Sequence, residues 1–453
     1  MPTINNEQAR FRQKMIERAE RRFQSRIQKL RRQAMKRRNL QKGAGGIKSS
    51  KIIEMLAAKA VHTLGSTNGE IRVTIPRQLS IIDSPELAID LLTAFAHGVS
   101  NGNVQKIVFD HRALEDVDLA ANSLLDIVAT ERNAEFKWRH AKRKLRVAGY
   151  YPKNQALKRL IKATGIIKHM EIAHEALTHD ETRDIRVFEA RNRSYSNPGD
   201  GSKADFKDRQ QANFVDHIQK CLRDHGWELS ELGTYFLGTY LGEILANAED
   251  HAAYLDWTVQ GYLDNTLDVP MCEIAIFNFG RSIAESLQTV DKNGYTWKQV
   301  APYIEKHAKR NLFGTAWREE DLLTVVALQS HVSRLNTSEE TTRGQGTVEF
   351  IEFFQRINDL CNGSTGGAKM AIVSGGTYIL FDGTYRMVAP DPDAGKIIAF
   401  NATNDLYEKP DSRFVKSLGD YRFPGTIISI KFPLSLADST LVEEVTNGIE
   451  HDD

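Results

Sequence analysis

The chain has 453 residues, 41% hydrophobic and 26% charged, a mixture that suits two or three packed domains and excludes a collagen-like, disordered or low-complexity polymer. Its formal net charge is +1, yet residues 1–51 hold 16 Lys/Arg against 3 Asp/Glu, so a basic arm precedes a net acidic body. Cys221, Cys272 and Cys361 form no Cys-x-x-Cys pair, which argues against a disulfide framework or zinc ribbon and fits buried thiols in a reducing compartment.

In the arm, Phe11, Met15, Ala19, Phe23, Ile27, Leu30 and Ala34 recur every three or four residues among arginines and lysines. That spacing predicts a basic amphipathic helix. Its stripe can pack on the body or on a second copy, its cations can meet nucleic-acid phosphates or a partner protein through residues 8–42, and a membrane surface is a further candidate. The N-terminus lacks the apolar core of a signal peptide, and no run reaches the 18 to 20 apolar residues of a membrane span. A cytoplasmic, bacterial protein is the expectation.

Strand and helix patterns then alternate. Ile71–Ile75 reads as a strand, Pro85–His97 as a helix capped by Ser84, and Lys106–Phe109 as a buried strand ending at Asp110. A helix over Asp118–Thr130, a strand at Leu145–Ala148 and a helix over Asn154–Ala163 follow. This order predicts a small α/β layer. It resembles the STAS (sulfate transporter and anti-sigma antagonist) fold over residues 65–170, on Ile107–Asp110, the loop Leu114–Asp118 and the helix ending at Gly165. Where that family places a phosphorylatable serine, the loop reads Val117-Asp-Leu-Ala-Ala121, so the resemblance implies docking or scaffolding without the phospho-switch. Residues 180–210, with the polar run Arg191–Asp200, read as a linker or exposed loop.

The segment Tyr235–His251 has a helical pattern in which Glu243, Asn247 and His251 lie four apart and share one face. An amide oxygen there can ligate Mg²⁺, and a carboxylate one turn earlier can orient or deprotonate an attacking water. A strand at Glu273–Phe277 runs into Asn278-Phe-Gly280 and then a helix. Glycine at that turn lets a planar base approach the backbone, and the oxygen of Asn278 can accept from an exocyclic amine. Further on, Arg343, Gly344, Gly346 and Thr347 precede a helix over Val348–Ile357, a helix start that favours phosphate.

Three such segments in this order resemble the GHKL superfamily of ATP-binding domains, over residues 211–436. Glu243–His251 is similar to its N box, Asn278–Gly280 to its first glycine box, Arg343–Thr347 to its second, and Phe423–Pro433 to its last sheet strand. The resemblance implies a sandwich holding ATP, with Asn247 on Mg²⁺, Glu243 as the water-activating base and Asn278 at the adenine amine. Gly344, Gly346 and Thr347 would lie at the phosphates, Arg343 would reach the γ-phosphate, and a lid would span residues 330–343. His251 matches a position of kinase-like members, though a histidine on a half-apolar helix also suits a core. The family's usual glycine-box aspartate is Asn278 here, and the box's second glycine is Ser282.

The expected architecture is therefore α/β (α+β). A basic arm (1–50) leads to a STAS-like layer (51–175), a linker (176–210), a GHKL-type sandwich (211–440) and an acidic tail (441–453). The expected function is a Mg-ATP hydrolase acting as a nucleotide-dependent switch in a regulatory or defence-type assembly, with a homodimer as one assembly. The alternatives are a protein kinase of histidine or anti-sigma type and a non-catalytic, nucleotide-gated interaction protein that binds nucleic acid through its arm. His169, His174 and His179 precede the sandwich, but none lies in a His-Glu-x-x-x-Pro pattern.

Overall fold

The computed structural model describes residues 49–100, 103–139, 145–165, 177–192, 203–226, 228–229, 233–235, 237–239, 241–242, 244–245, 257–310, 317–329, 332, 345–361, 367–389 and 395–434. Residues 49–200 and 207–453 form one unit; residues 1–48 with 201–206 form another, of which only the opening of one helix is described. The expected basic helix and acidic tail lie outside the described residues.

The first region opens with helix α1 (Lys51–Ala57), whose N-terminus is capped by Ser50. Strands β1 (Ser66–Thr67) and β2 (Glu70–Thr74) form a hairpin. Its two-residue turn is Asn68-Gly69, both at positive φ (51° and 76°), the pairing that matches the twist of the flanking strands. Helix α2 (Pro85–Ser100) follows the short strand β3 (Gln78–Leu79), and then come β4 (Lys106–Asp110), β5 (Asp116–Val117), helix α3 (Leu119–Arg139), β6 (Arg146–Tyr150) and helix α4 (Gln155–Thr164). Strands β2, β4 and β6 are parallel, giving a four-stranded sheet in the order β1-β2-β4-β6, while β3 and β5 pair separately.

The second sheet is antiparallel and seven-stranded, in the order β12-β11-β10-β13-β9-β8-β7. Its strands are β7 (Ile185–Asn192), β8 (Trp257–Asp264), β9 (Met271–Phe279), β10 (Lys369–Gly375), β11 (Thr377–Phe381), β12 (Val415–Ser417) and β13 (Phe423–Pro433). The short helix α5 (His179–Arg183) precedes it, and helices α6 (Lys203–Arg223), α7 (Ile283–Gln288), α8 (Tyr295–Arg310), α9 (Glu319–Val326) and α10 (Gln345–Leu360) are interleaved with its strands.

One hydrophobic core runs from Ile107 and Phe109 of β4, through Leu124 and Val128 of α3, to Phe277 of β9 and Ile427 of β13. Side chains alternate across each strand, so one face of the large sheet meets α3 and the other meets α6 to α10. On the α3 side, Glu273 accepts from the backbone N–H of Leu119 at 2.7 Å, and Ser123 pairs with Gln260. On the opposite side, Phe354 of α10 packs edge-on against Phe381 of β11, and Phe214 of α6 against Phe188 of β7.

Several sequence expectations change. The stretch expected as a linker contains β7, an edge strand fully registered with β8 from Ile185↔Asp264 to Asn192↔Trp257, and the start of α6. Helix α3 continues nine residues past Thr130 because its charged end is interior. Arg132, 1% exposed, donates to Val104 O at 2.9 Å and pairs with Glu135 at 3.1 Å, and Glu131 holds Arg191 of β7 at 2.8 Å. Ser84 does not cap α2 with its hydroxyl, which instead donates to Ser80 O. Both expected domain regions contribute to one core, and a second cluster around Leu287, Leu322 and Val326 lies within the later region.

Candidate functional site

The site is built where β9 ends. Asn278, half-buried, stands opposite Thr426 of β13 and Trp257 of β8. Gly280, at φ 129°, turns the chain out of the sheet while its N–H still donates to Pro424 O at 3.0 Å. Across from it Gly425 takes φ 134°, and a Cβ there would lie 2.0 Å from the carbonyl oxygen of Asn278. Only glycine allows the two backbones to close so tightly.

The next turn is fixed by side chains. Ser282 and Glu285 form a reciprocal capping box on α7, with bonds of 3.1 and 2.9 Å, satisfying two backbone donors at once. Ser374 of β10 accepts from Ile283 N at 2.8 Å and shares a 2.9 Å hydrogen bond with the Thr426 hydroxyl. Ser374, Thr426 and Asn278 thus occupy adjoining register positions on β10, β13 and β9. Their side chains form a polar row at the end of a sheet face that is mainly apolar on β8, β9 and β13.

Beside this row, Gly375 at φ 60° opens a register shift in β10. Glu320 of α9 accepts from Gly376 N at 3.0 Å and holds Arg422 through two bonds of 2.6 and 2.8 Å, the bidentate geometry a guanidinium favours. Its neighbour Asp321 accepts from the Thr377 hydroxyl at 2.7 Å. Burial pushes Asp321 up to about 6; the Thr377 bond opposes that rise and Glu320 adds to it.

Of the residues singled out from sequence, Asn278 and Gly280 lie together at this turn. Gly346 and Thr347 lie in the first turn of α10, which begins at Gln345, three residues before the expected start. Their N–H groups are among the first four of a helix, which have no partner within it. Glu243, Asn247, His251, Arg343 and Gly344 lie outside the described residues, as does the expected lid apart from Val332. The described residues of 233–245 are helical and bury Leu237, Leu241 and Leu245, one face at four-residue spacing.

Sequence reading missed Ser374, Glu320 and Arg422. The Pro424-Gly425 pair inside a strand pattern was the available signal, since glycine there marks close backbone approach. No cluster of three or more His, Cys, Asp or Glu side chains able to hold a metal occurs among the described residues. No protein-family model, curated protein or solved structure matches the chain.

Proposed function

We propose that the chain is a Mg-ATP-dependent hydrolase of the GHKL type working as a nucleotide-dependent conformational switch, with a STAS-like layer as the body it moves against. One observation carries this reading: the half-buried Asn278 beside the Gly280 turn, flanked by the Thr426 and Ser374 hydroxyls. That row offers the Asn278 amide and the Thr426 hydroxyl to the edge of a purine, with the buried Ser374 hydroxyl positioning Thr426.

The first turn of α10, holding Gly346 and Thr347, suits a phosphate because dipole and backbone donors both favour an anion. In this reading Arg343 and Gly344 would extend that cradle, Asn247 would hold Mg²⁺ and His251 would lie at the nucleotide's edge. Glu243 would take the proton from the attacking water, and Mg²⁺ when bound would neutralise phosphate charge. Asn278 in place of a carboxylate accepts the adenine amine through its amide oxygen.

Strand β9 supports the switch. Asn278 projects toward the nucleotide side, whereas Glu273, five residues earlier, projects to the other face and accepts from the N-terminus of α3. A displacement of this strand on nucleotide binding would therefore be felt at α3. The STAS-like reading rests on three parallel strands edged by the β1–β2 hairpin.

Calorimetric titration with ATP and Mg²⁺, followed by a phosphate-release assay, tests the proposal. Glu243→Gln is expected to keep nucleotide binding and lose release by at least about a hundredfold, the range of a general base. Wild-type protein that neither binds ATP nor releases phosphate would overturn it.

A further inference from the structure

Parallel sheets almost always have both faces covered, and the small sheet departs from that rule. Its inward positions, Ile71, Val73, Ile107 and Phe109, belong to the shared core. Its outward positions alternate with them, and Arg72, Thr74, Arg146, Ala148 and Tyr150 are exposed around the buried Val108. Strand β6 is one edge of the sheet, and every residue of it but Val147 is exposed.

The face is basic and ordered. Registers align Glu70, Lys106 and Arg146 in one row, Arg72, Val108 and Ala148 in the next, and Thr74, Asp110 and Tyr150 in the third. Its two carboxylates orient cations: Glu70 holds Lys106 at 2.8 Å, and Asp110 holds Arg112 at 2.6 Å with Arg72 at 3.8 Å. Four cations against two anions leave an excess of positive charge. The Arg112 guanidinium lies 4.6 Å from the centre of the Tyr150 ring, and Tyr150 is itself 46% exposed.

We propose that this outer face is a platform for single-stranded nucleic acid, in which Tyr150 stacks a base and Arg72, Lys106 and Arg146 meet the phosphates. Arg146 and Tyr150 are four residues apart on one face of a strand, about 13 Å, a span that accommodates two nucleotides. An extended acidic peptide would satisfy the cations, but it has no planar group to add to the Arg112–Tyr150 stack. A base extends such a stack whatever its identity, and the phosphates supply the charge. A duplex hides its base faces and leaves Tyr150 unused. The residues of this surface belong neither to β9 nor to residues 8–42, so substitutions in each are distinguishable.

Fluorescence anisotropy of the full-length protein with a labelled oligothymidylate, a duplex of equal length and polyglutamate as competitor tests the inference. Tyr150→Ala is expected to weaken single-strand binding about tenfold, the scale of one stacking contact. Tyr150→Phe should bind as wild type, and Arg72→Glu with Arg146→Glu should weaken binding and lower its salt dependence. A bromodeoxyuridine oligomer should photocrosslink to the peptide containing residues 146–150, with circular dichroism of every variant unchanged. Wild-type affinity in Tyr150→Ala, equal affinity for the duplex, displacement by polyglutamate as effective as by unlabelled oligomer, or crosslinks confined to residues 8–42 would each overturn it.

Discussion

On the outer face of the small sheet, the hydrogen bonds from Arg112 hold Asp110 down at about 2, with burial opposing and Arg72 assisting. On the core-facing side of the large sheet, burial instead pushes Glu273 up to about 7, with Asp118 adding to the rise and Lys431, 3.8 Å away, opposing it. The two carboxylates differ in what surrounds them. Asp110, 8% exposed, has a guanidinium at hydrogen-bond distance, whereas Glu273, 5% exposed, relies on one helix N–H and a more distant ammonium. The charge of Asp110 holds exposed guanidiniums in place. A charge between the sheet and α3 is a condition of assembly.

The strongest way to break that contrast is to open the interior. Phe277 is 1% exposed within the core that joins both regions. Phe277→Ala is expected to cost about 3–5 kcal/mol, the range for truncating a buried aromatic. Urea denaturation followed by both circular dichroism and tryptophan fluorescence should show one common shift of midpoint. Separate transitions would mean that the regions do not share a cooperative core.

Titration sharpens the comparison next. Because Glu273 binds its proton more tightly in the folded state than in the unfolded chain, its contribution is fully present below about 4.5. It is lost as pH rises to about 7. The size is about 3 kcal/mol, the free energy separating a carboxyl that titrates near 4.5 from one near 7. Urea midpoints measured from pH 4.5 to 8 should fall through that window in the wild type and fall less steeply in Glu273→Gln, which keeps an acceptor for Leu119 N, the remaining fall below about pH 6 being that of Asp321. An unchanged slope in the variant would remove Glu273 as the cause.

The smallest effect belongs to the exposed sheet. Arg146→Ala, at an outward position of an edge strand, is expected to alter stability by no more than about 0.5 kcal/mol. The same urea measurement checks this, and a larger loss would mean that the outer face has a structural duty.

Much of the element order was legible because local chemistry and final burial agree. Phe423–Pro433 has the expected bounds, and the strands at 71–75, 106–109 and 145–148 each differ by a residue or two. Where they disagree, the sequence misleads. Residues 131–139 of α3 look like a solvated charged run, yet Arg132 and Glu135 are interior, Arg132 donating to Glu135 and to Val104 O. Strand β7 carries Arg186, Glu189 and Arg191 among its apolar residues, and only the pairing with β8 and the Glu131 contact reveal it as sheet. At the candidate site, Asn278 and Gly280 were legible from a strand running into a glycine turn. Ser374 and Thr426 were not, because a hydroxyl in a strand signals nothing until register sets it beside another. The Asn68-Gly69 dipeptide was a readable hairpin signal left unused.

All three thiols sit inside the protein: Cys221 on α6 is fully buried, Cys272 on β9 is 1% exposed and Cys361 beyond α10 is 6% exposed. An alkylating reagent reaches such sulfurs only during transient openings. Their labelling kinetics are therefore a built-in clock for breathing on the side of the large sheet that carries Asn278, legible without adding a probe.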